Sequence, residues 1–290
     1  MKKISLILLF SLCLSVVFAQ DETEAKPVDK PVYMPFASGM LIDAQSAYIP
    51  DAKTLEFVLQ HRFGTVGNGV KDMFGLYAPS NIKMGLNYSL TNDVQIGFGA
   101  TKKRNLTDFG LKWNILNQTR TNSIPVTISL YGNFAIDGRS AEIFGNDYNF
   151  MNRYSYFAQV IFAKKFNDWM SLQFAPSYSH INRVEQGLEH DKYSLSFSGR
   201  FKFSDQSSFV FNYDVPLHIN KFEENKDADA FRPTANFSIG WEIATGTHVF
   251  QIFIAAANSL SPQYNIMTNT NEFGTKSMLI GFSITRLWAF

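Results

Sequence analysis

A hydrolase built on β-strands needs a histidine base within reach of a serine hydroxyl, and residues two places apart on a strand share one face. The sequence contains five histidines. None of them has a serine two places before or after it; they are His61, His180, His190, His218 and His248. We therefore predict no catalytic residues and no enzyme activity. A serine and a histidine on different strands keep an enzyme open as a third alternative.

Two groups of acidic residues could bind a divalent cation, because hard cations take several oxygen ligands. Neither group has the spacing of a known calcium-binding loop, and hydrated charge in surface loops explains both. We therefore expect no metal site and no cofactor. The groups are Glu185, Glu189, His190 and Asp191, and Glu223, Glu224, Asp227 and Asp229.

Nine charged residues fall in stretches where polar and apolar residues alternate, each at the positions of the polar set. On a β-strand, such residues lie on the face opposite the apolar side chains. They are Glu56, Arg62, Lys83, Lys112, Lys165, Arg200, Lys202, Asp214 and Glu242. Six are basic and only three are acidic. The surplus positive charge must therefore be hydrated, or paired with acids from the N-terminal segment or the loops.

The alternation has a period of two residues, which favours strands over helices. In residues 54–63, for example, Leu55, Phe57 and Leu59 alternate with Glu56 and Gln60. The same pattern predicts twelve strands, at residues 54–63, 82–90, 94–102, 106–116, 125–136, 152–166, 170–180, 193–203, 207–216, 233–243, 247–257 and 276–289.

Residues 1–19 have the form of a secretory signal peptide, with Lys2 and Lys3 before an apolar run that ends at Ala19. Beyond it, no apolar stretch approaches the ~18 to 20 residues of a membrane helix. Strands can face lipid only in a closed barrel, because an open edge leaves backbone groups unpaired. We predict an all-β fold: a single transmembrane antiparallel up-and-down β-barrel with an extended N-terminal segment, in the outer membrane of a Gram-negative bacterium.

Connection lengths give an independent check on this barrel. Tight turns alternate with mostly long loops, as in transmembrane barrels, whose short turns are periplasmic. Both termini would then be periplasmic. All four tryptophans fall toward that side and five tyrosines toward the other, which suits two interfacial belts. These residues are Trp113, Trp169, Trp241 and Trp288, and Tyr154, Tyr156, Tyr178, Tyr193 and Tyr213.

The chain is expected to have three parts: a signal peptide at residues 1–19, an extended tether or plug at 20–52, and the barrel at 53–290. Prolines at 27, 31 and 35 exclude a long helix from the second part. Two segments could plug the lumen, Phe36–Ile42 and, in the first long loop, Val70–Tyr77. Either could instead pack on the rim.

The last residues resemble the C-terminal assembly signal of bacterial outer-membrane barrels. A terminal phenylalanine follows apolar residues at alternate positions, namely Phe282, Ile284, Trp288 and Phe290. Arg286 departs from this pattern, although its guanidinium could reach the membrane interface. The resemblance implies recognition by the barrel insertion machinery.

More of the chain is similar to an uncharacterised family of outer-membrane barrels that is classed as a domain of unknown function. The matching stretches are FASGMLID at 36–43, TLEFVLQHRFG at 54–64, FGLYAPSNI at 74–82, EHD at 189–191, and residues 279–288. The resemblance implies the same fold and location. Because the family has no established activity, it brings no catalytic residues with it.

Charge and cysteine content restrict the partners further. Removing Lys2 and Lys3 from the 26 basic residues leaves 24 against 25 acidic ones, so nothing indicates a nucleic acid. The only cysteine, Cys13, lies in the predicted signal peptide. The expected partners are outer-membrane lipids and lipopolysaccharide, the insertion machinery during assembly, and a small polar solute.

The inward-facing charges allow two interpretations of the lumen. They could line a polar pore, whose basic excess would favour anionic or neutral solutes. They could equally pair across a closed lumen and hold it together. We therefore expect a porin-like passive channel or binding barrel for small polar solutes. The alternative is a structural or surface-interaction barrel with a closed lumen, and the third hypothesis is a lipid-modifying outer-membrane enzyme.

Overall fold

The computed structural model describes residues 29–185, 187–219, 224, 231–274 and 276–290. The chain forms two units, Met1–Lys30 and Pro31–Phe290. Every strand and helix of the described residues belongs to the second unit. The predicted signal peptide and the first part of the predicted tether lie outside the described residues.

Within the described residues, the strands form two sheets. A small hairpin consists of β1 (Met40–Leu41) and β2 (Ala44–Gln45). The larger sheet consists of β3 (Thr54–Thr65), β4 (Asn81–Ser89), β5 (Val94–Thr101), β6 (Leu106–Leu116), β7 (Thr127–Ile136), β8 (Tyr154–Lys165), β9 (Met170–Ile181), β10 (Asp191–Lys202), β11 (Ser207–Pro216), β12 (Asn236–Ala244), β13 (His248–Ala255) and β14 (Leu279–Ala289).

In the part of the chain that the structure describes, helical structure is confined to short pieces in the connections. One α-helix, α1 (Pro262–Thr268), lies between β13 and β14. Short 3-10 segments occur at Val66–Asp72, Lys103–Asn105, Ala141–Phe144 and Phe150–Arg153, and the first of them is kinked at Gly69. Among the described residues, no helix has the length and apolar character needed to cross a membrane.

The larger sheet is closed. Each strand is antiparallel to its neighbours in the chain, and β14 pairs with β3. At this seam Trp288 lies opposite Leu55 and Ile284 lies opposite Leu59. Closure pairs the backbone N–H and C=O groups that an open sheet would expose to hydrocarbon. The predicted all-β, up-and-down barrel of twelve antiparallel strands is confirmed.

The strand boundaries agree closely with the alternation, and the differences have local causes. The strand predicted from residue 125 begins at Thr127, and the strand predicted from residue 233 begins at Asn236. Pro125 and Pro233 have no N–H to donate to a neighbouring strand, so pairing begins after them.

The two ends of the barrel differ in the length of their connections. We call the end with the shorter connections the turn end and the opposite end the loop end. At the turn end lie the start of β3, the end of β14 and the connections 90–93, 117–126, 166–169, 203–206 and 245–247. At the loop end lie the connections 66–80, 102–105, 137–153, 182–190, 217–235 and 256–278. Trp113, Trp169 and Trp241 are exposed on the outer face toward the turn end.

Alternation separates the two faces of the wall. Along β9, Ser171, Gln173 and Ser177 are buried on the inside. On the outside, apolar side chains such as Phe109, Leu111 and Ile252 are exposed. A barrel in a lipid bilayer needs apolar side chains on the outer face of its wall and polar side chains on the inner face.

The C-terminal residues complete the seam. The Phe290 N–H donates to the Lys53 carbonyl at 3.2 Å, while the Phe290 ring is 80% exposed. The Arg286 guanidinium carbon lies 4.8 Å from the centre of the Trp288 ring. Arg286, which departs from the assembly pattern, is thus paired with one of the aromatic residues of that pattern by a cation–π contact.

We predict that replacing both Phe290 and Trp288 by Ser lowers the amount of folded barrel, because the insertion machinery loses its signal. Folded barrel is measured on gels, where the unheated closed sheet migrates faster than boiled protein. Phe166→Ser, at another exposed phenylalanine of the turn end, is the control and should leave the amount unchanged. Equal amounts of folded barrel in all three proteins would show that these residues carry no assembly signal.

Candidate functional site

A segment of the chain that precedes the barrel lies inside the lumen, in contact with side chains of the inner wall. We call residues 36–49 the plug. Its β1–β2 hairpin is closed by a hydrogen bond from the Ser46 N–H to the Gly39 carbonyl at 2.9 Å. The Ser46 hydroxyl donates to the Ser38 carbonyl at 2.6 Å. These local bonds give a short segment a defined shape before it meets the wall.

The tip of the hairpin holds a strained residue. Ile42 has a φ of +56°, in the left-handed region that β-branched residues rarely adopt. It is fully buried. Its N–H donates to Gln251 Oε1 at 3.0 Å, and its carbonyl accepts from Gln60 Nε2 at 3.2 Å. Two wall side chains thus hold the strained backbone in place, as such conformations require.

Most polar contacts of the plug join a side chain of the wall to the backbone of the plug. These bonds satisfy peptide groups that have no strand partner inside the lumen. The further contacts are Gly39 N to Glu56 Oε1 at 3.1 Å, Lys112 Nζ to the Gly39 carbonyl at 3.0 Å, Asn114 Nδ2 to the Ala47 carbonyl at 3.1 Å, Gln173 Nε2 to the Gln45 carbonyl at 2.7 Å, and Gln251 Nε2 to the Met40 carbonyl at 3.2 Å.

A buried ion pair joins the plug to β3. Arg62, the largest fully buried side chain among the described residues, donates to Asp43, which is 2% exposed. Asp43 Oδ2 also accepts from Asn236 at 3.3 Å and Ser238 at 3.2 Å. The Arg62 guanidinium carbon lies 4.8 Å from the centre of the Phe253 ring. Both charges are therefore compensated, as buried ions must be.

The other side of the plug is apolar. Phe36, Leu41, Ile42 and Ala47 form one buried cluster with side chains from the inner wall. The wall side chains are Ile161, Ala163, Ala175, Val210, Phe253 and Ala255. Burying a side chain as large as Leu or Phe contributes about 1.5 to 3 kcal/mol. This inner apolar patch would face water if the plug were absent.

At the loop end, α1 enters the lumen. Pro262 occupies its first turn, where a missing N–H costs nothing. Gln263 is fully buried, and its Nε2 donates to Asn133 Oδ1 and Ser155 Oγ, both at 3.1 Å. Between the plug and α1 remains a cavity of about 20 Å³, room for about one water. The lumen is thus closed from both ends.

The nine charged residues predicted to line the lumen fall into two groups. Seven lie on the inner wall beside polar partners. Lys83 Nζ is 2.9 Å from Asp108, Arg200 Nε is 2.6 Å from Glu242, and Asp214 accepts from Asn212 at 2.7 Å. Glu56, Arg62 and Lys112 contact the plug. Lys165 and Lys202 lie at the turn end, beside the exposed Asp168 and Asp205.

The inner wall carries more acidic residues than the sequence pattern predicts. The alternation predicts three inward-facing acids, Glu56, Asp214 and Glu242, but Asp108 also faces inward and pairs with Lys83. The sequence contains the information that places Asp108 on this face, because Asp108 and Lys112 are four residues apart on β6 and residues an even number apart on a strand share a face. Asp43 supplies a further acid from the N-terminal segment. The surplus of basic residues on the wall is therefore smaller than predicted, and acids of the N-terminal segment and of the turns lie beside the remaining bases, namely Asp43, Asp168 and Asp205.

The described acidic loop residues lie beside basic residues of the loop end, and the second candidate plug is largely exposed. Glu189 pairs with Lys192, and His190 Nδ1 lies 2.8 Å from Glu224 Oε2. Glu223, Asp227 and Asp229 lie outside the described residues. In the described parts of the chain, no three potential metal ligands come together. Within Val70–Tyr77, Val70 is 76% and Tyr77 79% exposed, so this segment does not plug the barrel.

Comparison with known proteins agrees with the fold. A family model described as Membrane bound beta barrel domain (DUF5777) matches residues 36–288, which includes the plug. No curated protein matches the sequence. Among solved structures, a NanC porin has 7% identity and a TM-score of 0.49, covering 81% of this chain and 99% of that chain. An outer membrane channel from Pseudomonas putida F1 has 11% identity and a TM-score of 0.48, covering 91% and 100%.

We predict that Asp43→Ala loosens the plug, because Arg62 then stays buried without its acid, at a cost of ~3 to 5 kcal/mol. Ala47 is 1% exposed, so a cysteine at this position reports plug position through maleimide labelling. Ala47→Cys alone should resist labelling in the folded barrel, and the double variant with Asp43→Ala should react. Asp51→Ala, an exposed acid after the plug, is the matched control. Identical protection in all three proteins would contradict the role of the ion pair.

Proposed function

This chain belongs to the family described as Membrane bound beta barrel domain (DUF5777), and we propose that it is an outer-membrane channel for small polar solutes that its plug and α1 hold closed. The observation that carries the proposal is that the wall and the plug are separate sheets. All twelve wall strands pair with two neighbours without using β1 or β2. The plug can therefore leave the lumen without opening the sheet.

The contacts of the plug support its removal as a unit. Its polar bonds to the wall come from side chains such as Gln60, Lys112 and Asn114. These side chains can be hydrated when the plug leaves, so they need no new protein partner. A barrel of eight strands is just filled by its own side chains, whereas twelve strands leave space for a passage.

The route of removal follows from the position of the chain before the plug. At the turn end, Pro31 forms a bridge with Thr119, and the Val32 N–H donates to the Gln118 carbonyl at 2.8 Å. Short turns are periplasmic in barrels of this kind, which supports a periplasmic position for both termini. The plug would then leave toward the periplasmic side, where Pro31 and Val32 lie.

The inner wall supports transport with little charge selectivity. Five basic residues on the inner face of the strands are matched by four inward acids of the strands and by Glu189, which pairs with Lys192. The other bases are Arg62, Lys83, Lys112 and Arg200, and the strand acids are Glu56, Asp108, Asp214 and Glu242. This balance replaces the anion preference expected from sequence. The wall charges therefore favour neutral polar solutes as much as anions.

A permanently closed barrel is the second candidate, and the apolar cluster favours it. Phe36 and Leu41 are fully buried against the wall. Opening would expose their partners, including Ile161 and Phe253, to water. A closed barrel would serve a structural or surface-interaction role with outer-membrane lipids and lipopolysaccharide.

The two candidates predict different conductance in planar bilayers. Intact protein should be silent in both. If the barrel is a plugged channel, removal of residues 20–50 together with replacement of 262–268 by a Gly-Ser linker should give stepwise conductance, with nearly equal permeability to potassium and chloride. Removal of residues 20–30 alone keeps the plug and should stay silent. Silence of all three proteins, with the gel shift showing folded barrels, would reject the channel in favour of the closed barrel.

A further inference from the structure

A second cavity lies at the loop end, outside the closed lumen. It has a volume of about 280 Å³. Its walls come from the connections 102–105, 137–153 and 182–190 and from α1. It therefore remains accessible from the loop end while the plug and α1 close the barrel.

Three guanidinium groups line this cavity, from Arg104, Arg139 and Arg183. Arg139 donates from Nε to Asp137 Oδ1 at 2.9 Å and from Nη2 to Oδ2 at 2.6 Å. Arg104 Nη1 lies 3.6 Å from the same carboxylate. The hydrogen bonds to Asp137 raise the pKa of Arg139 above its ordinary value, so its charge is permanent.

The third guanidinium is uncommitted. Within the described parts of the chain, Arg183 has no hydrogen bond or ion pair, and it is exposed. Its Nη2 lies 3.0 Å from the place that a Cβ on Gly145 would occupy. Gly145 has a φ of +88°, so a glycine both suits this backbone and leaves space for the guanidinium.

The first two guanidinium groups are held in fixed positions. The Arg104 guanidinium carbon lies 4.5 Å from the centre of the Tyr264 ring on α1. Arg153 Nη1 donates to the carbonyls of Asp137 at 2.7 Å and Arg139 at 2.5 Å. The Tyr264 ring holds the Arg104 guanidinium, the Asp137 carboxylate holds that of Arg139, and Arg153 holds the backbone of this loop. Groups that are fixed before a ligand arrives reduce the entropic cost of binding.

The rest of the lining is largely apolar. It includes Ile143, Phe144, Val184 and Leu188, together with one carboxylate, Glu185. With Asp137 behind the wall and Arg153 against Phe144, four guanidinium groups and two carboxylates surround the cavity, so positive charge is in excess. Sites for small ligands combine an apolar surface with a few polar groups that set the orientation.

We propose that this cavity binds a small monocarboxylate, with its carboxylate on Arg183 beside Arg104 and its apolar body against Phe144, Val184 and Leu188. A guanidinium presents its N–H groups in the geometry of a carboxylate. Arg104 and Arg139 share Asp137, whereas Arg183 contacts no carboxylate of the described residues, which fits a ligand with one carboxylate. The site is complete in the closed barrel, so binding does not depend on conductance.

Benzoate is a suitable probe, because it has one carboxylate and a small apolar ring. We expect binding of labelled benzoate to folded barrel in a nonionic detergent, measured by equilibrium dialysis. Arg183→Ala should weaken the affinity about tenfold or more, because it removes a charge-assisted contact. Arg183→Lys should weaken it less. Arg232→Ala, at an exposed arginine of the loop end that does not line the cavity, is the matched control.

The competitors define the ligand class. Unlabelled benzoate should displace the label, whereas benzamide, which lacks the charge, and acetate, which lacks the apolar body, should displace it poorly. Equal binding to Arg183→Ala and to the parent protein would overturn the proposal. Displacement by inorganic phosphate or by lipopolysaccharide at lower concentration than benzoate would also overturn it, because the site would then recognise free phosphate or a lipid phosphate.

Discussion

The rest of the structure depends on the pairing of β3 with β14. Lipid offers no hydrogen-bond partner to a strand edge, so a sheet in a bilayer must close on itself. Pairs such as Trp288 with Leu55 close it here. A ring of twelve strands encloses more space than its own inward side chains fill. Either water or another part of the chain must therefore occupy the lumen.

In this protein the chain itself occupies it, and the wall is adapted on both sides of the plug. Amide and charged side chains satisfy the peptide groups of the hairpin, as Gln251 does for Ile42. Opposite them, Ile161 and Val210 form an apolar surface on the inner wall. Such residues have no role in a water-filled pore. Their presence indicates that the wall and the plug are matched to each other.

The barrel could be predicted from sequence because the two faces of its wall lie in different environments, lipid on the outside and a polar lumen on the inside. Residues 54–63 alternate so regularly that strand limits follow within a few residues, and turn lengths then give the topology. The plug was harder to predict from the sequence, because strands of two residues, such as Met40–Leu41, are too short to show an alternation of polar and apolar residues. Inward apolar residues such as Ile161 also broke the expected polar pattern of the inner face.

Contacts between distant parts of the chain could not be predicted. Asp43 and Arg62 are 19 residues apart, and Gln263 and Asn133 are 130 apart. Neither pair leaves a pattern in the sequence. The cavity at the loop end combines Arg104, Arg139 and Arg183 from three separate connections. Loop sequences have no periodicity, so they do not show which charged residues lie close together in the folded protein.

The central claim is that the plug is a folded part of the barrel, and hydrogen exchange of the intact protein in lipid nanodiscs tests it most directly. The N–H groups of Gly39, Ile42 and Ser46 are all hydrogen-bonded inside the barrel. Peptides covering residues 39–46 are expected to exchange as slowly as those of the barrel strands. Exchange at the rate of an unfolded peptide would contradict this claim, because the N–H groups of the plug would then be open to water.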